Sequence, residues 1–156
     1  YFKSKEEVVE ALVQRKLNQI IVEFKDIQSS KEMTAPEKVV FIIHLILNNI
    51  QGQDGLAFEY LFEEQHLHII DKLSRQSDNV LIPVMQNIVD EGIMQNQFNV
   101  LFPSETVDFI LAIIKCMWRS LYKDKSKTML TNRIIITQNL LEFALSAKKG
   151  SLNLSN

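Results

Sequence analysis

Three histidines and a single cysteine are the residues of this chain with the widest range of acid–base, metal-binding or nucleophilic chemistry. Glu63 and His66 have the three-residue spacing with which helical di-metal proteins direct a carboxylate and an imidazole at one metal ion. Such a site needs a second Glu-x-x-His pair, and neither His44 nor His68 has a glutamate three residues before it. We therefore expect no bound metal, and we expect His66 to be a pocket-lining or capped polar group.

A catalytic nucleophile has no local support in the sequence. The chain contains neither the G-x-S-x-G turn that exposes a reactive serine nor a glycine-rich loop that holds phosphate groups. Cys116 lies in an apolar run, which predicts a buried thiol in a reducing cytosol rather than a reactive, electropositive one. The sequence therefore predicts neither an enzyme nor a bound cofactor.

His44 and Asn48 lie one helical turn apart, on a stripe that also carries Glu37, Phe41 and Gln51. On a central helix, this stripe would place a few polar groups in an otherwise apolar cavity, as is usual for a small-molecule site. On a peripheral helix, the same residues would face solvent or satisfy one another. Both readings stay open at this point.

The elements that position these residues are predicted to be helices. The chain has 156 residues, of which 46% are hydrophobic, with four glycines and three prolines. This composition supports a substantial core but is too poor in turn formers for a many-stranded sheet. The formal net charge of -2 lacks the basic excess of a DNA-binding module, and no apolar run is long enough for a membrane span. We expect one soluble, cytoplasmic, all-α domain with no membrane partner.

Two capping boxes predict where the first helices begin. Ser4 and Glu7 have the S-x-x-E spacing that satisfies free amides at a helix N-terminus, and a helix of about six turns should start at Lys5. Thr34 and Glu37 repeat the pattern after a polar break, and this second helix should run to about residue 51.

The second half of the chain predicts three or four further helices. An apolar pattern from Phe58 to Leu73 loosens at residues 74–78, and Pro83 then either kinks a long helix or restarts a shorter one. Gly92 is expected to end that helix, and Pro103 to open the next, which runs to about residue 122. The last helix should span about residues 126–148, and residues 150–156 should form a frayed tail. The expected architecture is a bundle of about five or six helices.

The last two predicted helices are apolar almost all the way round. Such helices must be covered on two sides, either by a second copy of the chain in a four-helix interface or by a central position in a monomeric bundle. If a second copy covers them, the interface residues are expected to be Ile110, Ile114, Trp118, Leu121, Ile134, Leu141 and Leu145.

Two segments resemble the TetR/AcrR family of bacterial transcriptional regulators. The opening residues are similar to the junction at which the DNA-reading helix-turn-helix of that family passes into its regulatory domain: Tyr1-Phe2-Lys3-Ser4-Lys5-Glu6-Glu7-Val8-Val9. Glu91-Gly92-Ile93, then Gln97-Phe98 and Pro103-Ser104-Glu105, resemble a pattern of many regulatory domains of the family. This sequence departs from the family pattern because it has Asn96 or Gln97 where a second glycine is usual.

The resemblance implies a domain division and a set of partners. Residues 1–4 would be the remnant of the helix-turn-helix domain, residues 5–149 the regulatory and dimerisation domain, and residues 150–156 a tail. Tyr1 and Lys5 would contact DNA phosphates, and the last two helices would form a homodimer. A small apolar effector would occupy a cavity, with the expected lining residues Phe24, Phe41, His44, Asn48, Phe62, His66, Met85 and Trp118.

Two functions are therefore considered. The first is a ligand-responsive transcriptional regulator that binds operator DNA through a helix-turn-helix domain preceding Tyr1. Repression is its expected direction of control. The second is a helical adaptor that has no effector and binds a partner protein through the same apolar helices. A closed cavity lined by His44, Asn48 and aromatic residues favours the regulator, whereas a solid core with an exposed groove favours the adaptor.

Overall fold

The fold is all-α, as predicted. The computed structural model describes residues 1–51, 59–61, 63, 66–123 and 126–155. These residues contain no strand and form five long helices, while residues 59–61 are also helical. The five are α1 (Lys5–Ser29), α2 (Ala35–Gln51), α3 (Leu67–Met94), α4 (Pro103–Lys123) and α5 (Lys127–Ala144). Residue 58, where the third predicted helical pattern begins, lies outside the described residues.

Side-chain caps fix the starts of α1, α2 and α5. The Ser4 hydroxyl accepts a hydrogen bond from the Glu7 amide at 3.2 Å, while the Glu7 carboxylate accepts one from the Lys3 amide. At α2 the Glu37 carboxylate accepts hydrogen bonds from both the amide and the hydroxyl of Thr34, each at 2.7 Å. These contacts satisfy amides that have no partner within the helix. The two predicted helix starts are confirmed.

The long helix α3 is continuous where the sequence predicted a break. The prediction that residues 74–78 loosen it is wrong, because α3 runs through them without interruption. The Ser77 hydroxyl donates to the Leu73 carbonyl of the same helix at 2.9 Å. Pro83 lies inside the helix on an exposed position, where the carbonyl that loses its amide partner can reach water. Gly92 also lies inside, since α3 continues to Met94.

Two separate apolar clusters form the interior. The larger one joins the second half of α1 to α2, the second half of α3, α4 and α5. The smaller one lies between the first half of α1, residues 59–61 and the start of α3. Its buried members are Val9, Val13, Leu61, Ile69, Ile70 and Leu73.

The segment after residue 149 packs against the body of the domain, so the expectation of a frayed tail is wrong. Leu152 and Leu154 are buried in the larger cluster. The buried Glu142 carboxylate accepts hydrogen bonds from the amides of Gly150 and Leu152, at 2.8 and 3.1 Å. The Gln138 side chain accepts one from the Leu154 amide at 3.2 Å. The burial of Leu152 and Leu154 and the hydrogen bonds donated by three backbone amides hold this segment in place.

Membrane insertion has no support in the helices described here. None of them combines the length with the apolar composition that crossing a bilayer requires.

Candidate functional site

A cavity of about 120 Å³, partly open to solvent, lies at the seam between the two apolar clusters. The smaller cluster contributes Val13, Leu61 and Ile70, and the larger one contributes Ile20 and Ile114. Its other lining residues are Leu17, Ile21, Phe24, Ile46, Asn49, Leu73, Ser74, Ser77, Asp78, Leu81, Lys115 and Trp118. The lining is thus largely apolar, which suits an apolar ligand.

Helix α1 forms one wall of the cavity along three turns. Val13, Leu17, Ile20, Ile21 and Phe24 recur at three- and four-residue steps and face the same space. The opposite walls come from α3 and α4, with a smaller contribution from α2. A change in the cavity contents therefore acts directly on the packing of α1.

One ion pair supplies the charge at this site. Lys115 Nζ of α4 lies 2.6 Å from Asp78 Oδ2 of α3, with side chains 40% and 25% exposed. The other oxygen, Asp78 Oδ1, is buried and accepts no hydrogen bond from the described residues. The pair therefore joins α3 to α4 and leaves one buried acceptor unused.

Two of the residues expected to line a ligand cavity do line this one: Phe24 and Trp118. Met85 is fully buried in the larger cluster, outside the cavity lining, whereas Phe41 is 54% exposed and Asn48 is exposed. Phe62 lies outside the described residues. The structure does not bring these predicted residues together into one site.

His44 has a structural partner away from the cavity. Its Nε2 donates a hydrogen bond to the carbonyl oxygen of Leu154, at 3.3 Å. The residues of α2 that line the cavity are instead Ile46 and Asn49. The expected pairing of His44 with Asn48 at a ligand is wrong for this cavity, because the stripe that carries them faces the C-terminal segment and solvent.

His66 is buried near the start of α1. Its ring stacks on Tyr60 with centroids 4.3 Å apart, and its nitrogens lie 3.7 Å from Glu6 and 3.9 Å from Glu63. The pKa of Tyr60 is raised, mainly because partial burial disfavours the charged phenolate and also because Glu6 and Glu63 are negatively charged. His66 thus belongs to a polar cluster that ties α1 to the segment before α3, and it does not line the cavity.

The residues expected to contact DNA phosphates lie at the same end of the molecule. Tyr1 is fully exposed, and Lys5 Nζ lies 4.5 Å from the centre of the Tyr60 ring, within the range of a cation–π contact. Among the described residues, no group of three or more histidine, cysteine, aspartate or glutamate side chains is placed to hold a metal ion.

The interface expected on the last two helices needs correction. Ile110, Ile114, Leu141 and Leu145 are buried inside the chain itself, so a second copy cannot reach them. Trp118, Leu121 and Ile134 are partly buried. The large apolar side chains that these two helices expose are Phe109, Met129, Ile135, Ile136, Leu140 and Phe143. Apolar periodicity identified the helices but not which of their faces meets the core.

Cys116 is exposed on α4, so the expectation of a buried thiol is wrong. It lies one residue before the buried Met117, and that single step of about 100° along the helix turns its side chain away from the core. Phe109, two turns earlier, shares this exposed face.

Asp78 and Lys115 are the site residues that sequence reasoning missed. A signal was present: Asp78 shares a helical face with Leu81 and Met85, and Lys115 shares one with Leu111 and Trp118. An acid on one apolar stripe and a base on another are candidates for a partly buried ion pair.

The chain matches no protein-family model, and no curated protein matches it.

Proposed function

We propose that this chain is the effector-binding and dimerisation domain of a cytoplasmic transcriptional regulator similar to the TetR/AcrR family. Operator DNA would be bound by a helix-turn-helix domain preceding Tyr1. The proposal rests on one observation above all: an apolar cavity with α1 as one wall, where α1 is the helix that would follow the DNA-reading domain. The opening and Glu91-Gly92 motifs add the family resemblance.

The cavity suggests how a ligand would act. A molecule seated between Phe24 on α1 and Trp118 on α4 adds packing contacts that favour one position of α1 over another. The Glu10–Lys72 ion pair and the Glu6–His66 contact connect the first half of α1 to the start of α3 and the segment before it. A shift of α1 would change the separation of two recognition helices, which must match major grooves about 34 Å apart.

The exposed stripe on α5 supports a homodimer. Met129, Ile136, Leu140 and Phe143 follow three-, four- and seven-residue steps along one face, and Phe143 is 85% exposed. Phe109 is also exposed, on α4, the helix that packs against α5. Monomeric proteins rarely expose large contiguous apolar patches, so a second copy is the occupant we propose.

The adaptor hypothesis draws on that same exposed stripe. A partner protein could cover it equally well, but an adaptor gives no reason for a cavity between the two apolar clusters. An apolar pocket that the protein's own side chains do not fill is expected where a ligand binds. The cavity therefore supports the regulator through its aromatic lining, Phe24 and Trp118, although His44 and Asn48 lie outside it.

Ligand binding can be tested on this chain alone. Trp118 is the only tryptophan and lines the cavity, so its emission should change when toluene is added. Ser74→Met should fill the space and weaken toluene binding at least about tenfold. Gln76→Met, at an exposed position two residues away on α3, should leave binding unchanged.

Regulation requires the protein expressed from its complete gene. We expect it to select a palindromic sequence from genomic fragments, and toluene or a related apolar compound to change the affinity for that sequence. A protein that binds toluene at this cavity but selects no DNA would overturn the regulator and leave an apolar sensor of another kind. An absence of both activities would favour the adaptor.

A further inference from the structure

The polar side chains that line the cavity differ in how many of their hydrogen-bond donors and acceptors already have a partner. Ser77 donates its hydroxyl hydrogen to the Leu73 carbonyl, and the Asn49 amide donates to the Leu45 carbonyl at 2.8 Å. Lys115 donates to Asp78 Oδ2, and its side chain is 40% exposed, so its other hydrogens can reach water. Asp78 Oδ1 differs from these groups, because it is a buried acceptor to which none of the described residues donates.

A ligand that brings a hydrogen-bond donor would satisfy this acceptor. Asp78 lines the cavity, and Oδ1 is the carboxylate oxygen that Lys115 does not engage. A ligand with only acceptor atoms would leave Oδ1 unsatisfied.

The charge of the ligand follows from the Asp78–Lys115 pair. Because Lys115 already balances Asp78 at 2.6 Å, an added cation would place an uncompensated charge among apolar residues. An anion would do the same and would also face the unused carboxylate oxygen. A neutral donor, such as a hydroxyl group, avoids both costs.

The cavity volume gives the scale of the ligand. Its roughly 120 Å³ is slightly smaller than the roughly 150 Å³ apolar cavity that accommodates benzene in an engineered protein. A six-membered ring with one substituent is therefore the right scale, with small side-chain shifts at the rim.

We propose that the ligand of this cavity is a small uncharged alcohol, with an apolar body of about six carbon atoms and one hydroxyl that donates to the Asp78 carboxylate. The inference rests on the proposed ligand-binding function and specifies its ligand class. Lys115 holds the carboxylate in place and keeps the pair electrically neutral, while Trp118 and Phe24 contact the ring.

Five cyclohexane derivatives of nearly equal size test the proposal through Trp118 fluorescence: cyclohexanol, cyclohexanone, methylcyclohexane, cyclohexylammonium and cyclohexanecarboxylate. In the wild-type chain, cyclohexanol should bind at least about tenfold more tightly than cyclohexanone, which has an acceptor but no donor. It should also bind more tightly than either charged derivative. This comparison uses only the wild-type chain, so it does not depend on whether any variant folds.

A double variant that removes both charges of the ion pair tests whether the preference for cyclohexanol arises at Asp78. Asp78→Leu with Lys115→Met should weaken cyclohexanol binding at least about tenfold while leaving methylcyclohexane within about threefold. The matched control is Asp71→Leu with Arg75→Met, which removes an exposed ion pair of the same helix and should change neither ligand.

The outcomes separate this inference from the function on which it rests. If methylcyclohexane binds and cyclohexanol shows no preference over cyclohexanone, the apolar cavity stands and the alcohol proposal is overturned. If cyclohexylammonium or cyclohexanecarboxylate binds more tightly than cyclohexanol, the proposal of an uncharged ligand is overturned in favour of a ligand with that charge. If none of the five binds at millimolar concentration, both the ligand class and the sensor function are overturned.

Discussion

Gly92 and Phe98 are packed so closely that a β-carbon on residue 92 would lie 2.1 Å from Cδ2 of the Phe98 ring. The two residues are joined by the turn that ends α3, in which Asn96 takes a left-handed conformation with φ of 57°. The Phe98 amide also donates to the Gly92 carbonyl at 3.0 Å. Glycine is needed at position 92 because the ring occupies the space of its side chain. This contact gives a structural reason for the Gly and Phe elements of the motif.

Gly92→Ala is expected to destabilise the domain by about 2 kcal/mol, although alanine has the higher helix propensity. The buried Phe98 ring must move, and the Cγ, Cδ2 and Cε2 atoms all lie within 3 Å of the new methyl group. Urea unfolding measures the change. Gly92→Ala in a Phe98→Ala background should cost much less, and additive effects would contradict the predicted clash.

Lys38→Met should destabilise the domain by about 2 kcal/mol, since Lys38 is 2% exposed and its ammonium joins three helices. It donates to the Glu91 carboxylate at 2.6 Å and to the Gln28 carbonyl at 2.9 Å. Glu91 is partly exposed, which moderates the loss. Lys72→Met, which removes a largely exposed ion-pair partner, is the control and should cost well under about 1 kcal/mol in urea unfolding.

Glu142→Ala should release the segment after residue 149, because one buried carboxylate oxygen accepts from Gly150, Leu152 and Gln138. We expect a loss of about 2 kcal/mol and faster tryptic cleavage after Lys148 and Lys149, followed by mass spectrometry. Asn139→Ala, at an exposed position of the same helix, is the control. Equal cleavage rates in the two variants would contradict the anchoring role.

Glu37→Gln should lower the melting temperature near pH 7 and have no effect in strong acid. The Thr34 amide, and then its hydroxyl, lower the pKa of Glu37 below 4.5, so this carboxylate stabilises the fold above pH 4.5. That contribution is lost as the pH falls through the lowered pKa. Thermal unfolding between pH 7 and pH 2 measures it, with Glu105→Gln in the first turn of α4 as the control. A difference between Glu37→Gln and wild type that stays constant with pH would exclude this capping contribution.

Phe143→Glu should convert the proposed dimer to a monomer without loss of helicity, because Phe143 is exposed and supports no core contact within the chain. Analytical ultracentrifugation gives the mass, and circular dichroism confirms the fold. Thr131→Glu, on another exposed face of α5, should leave the mass unchanged. A wild-type chain that is monomeric at high concentration would remove the dimer from the proposal.

Local features of the fold were predictable because their signals lie within a few residues. The caps at Ser4 and Thr34, the positions of α1, α2 and α4 and the start of α5 follow from short-range patterns, whereas the length of α3 does not. The order of the C-terminal segment was not predictable, because it depends on Glu142, His44 and the larger cluster, which are distant in sequence. A short polar segment with two leucines carries no sign of such partners.

The candidate site was only partly predictable for a similar reason. Apolar periodicity identified Phe24 and Trp118 as inward residues, but a void leaves no pattern of its own in a sequence. Whether His44 or Asn49 on α2 faces it depends on how that helix is rotated against α1 and α3. Asp78 and Lys115 carried the most useful signal, since each interrupts an apolar stripe with a charge of opposite sign.

The buried apolar side chains of the first half of α1, residues 59–61 and the start of α3 belong to the smaller apolar cluster and not to the larger one. These segments are expected to unfold together, in transient openings that leave the larger cluster intact, and to exchange their amide hydrogens with solvent sooner than α2 or α4. A ligand at the seam would bind only the closed form and would slow that exchange first. An effector of the proposed kind would then act by suppressing local unfolding at one end of the domain, so the response would depend on temperature as well as on ligand concentration.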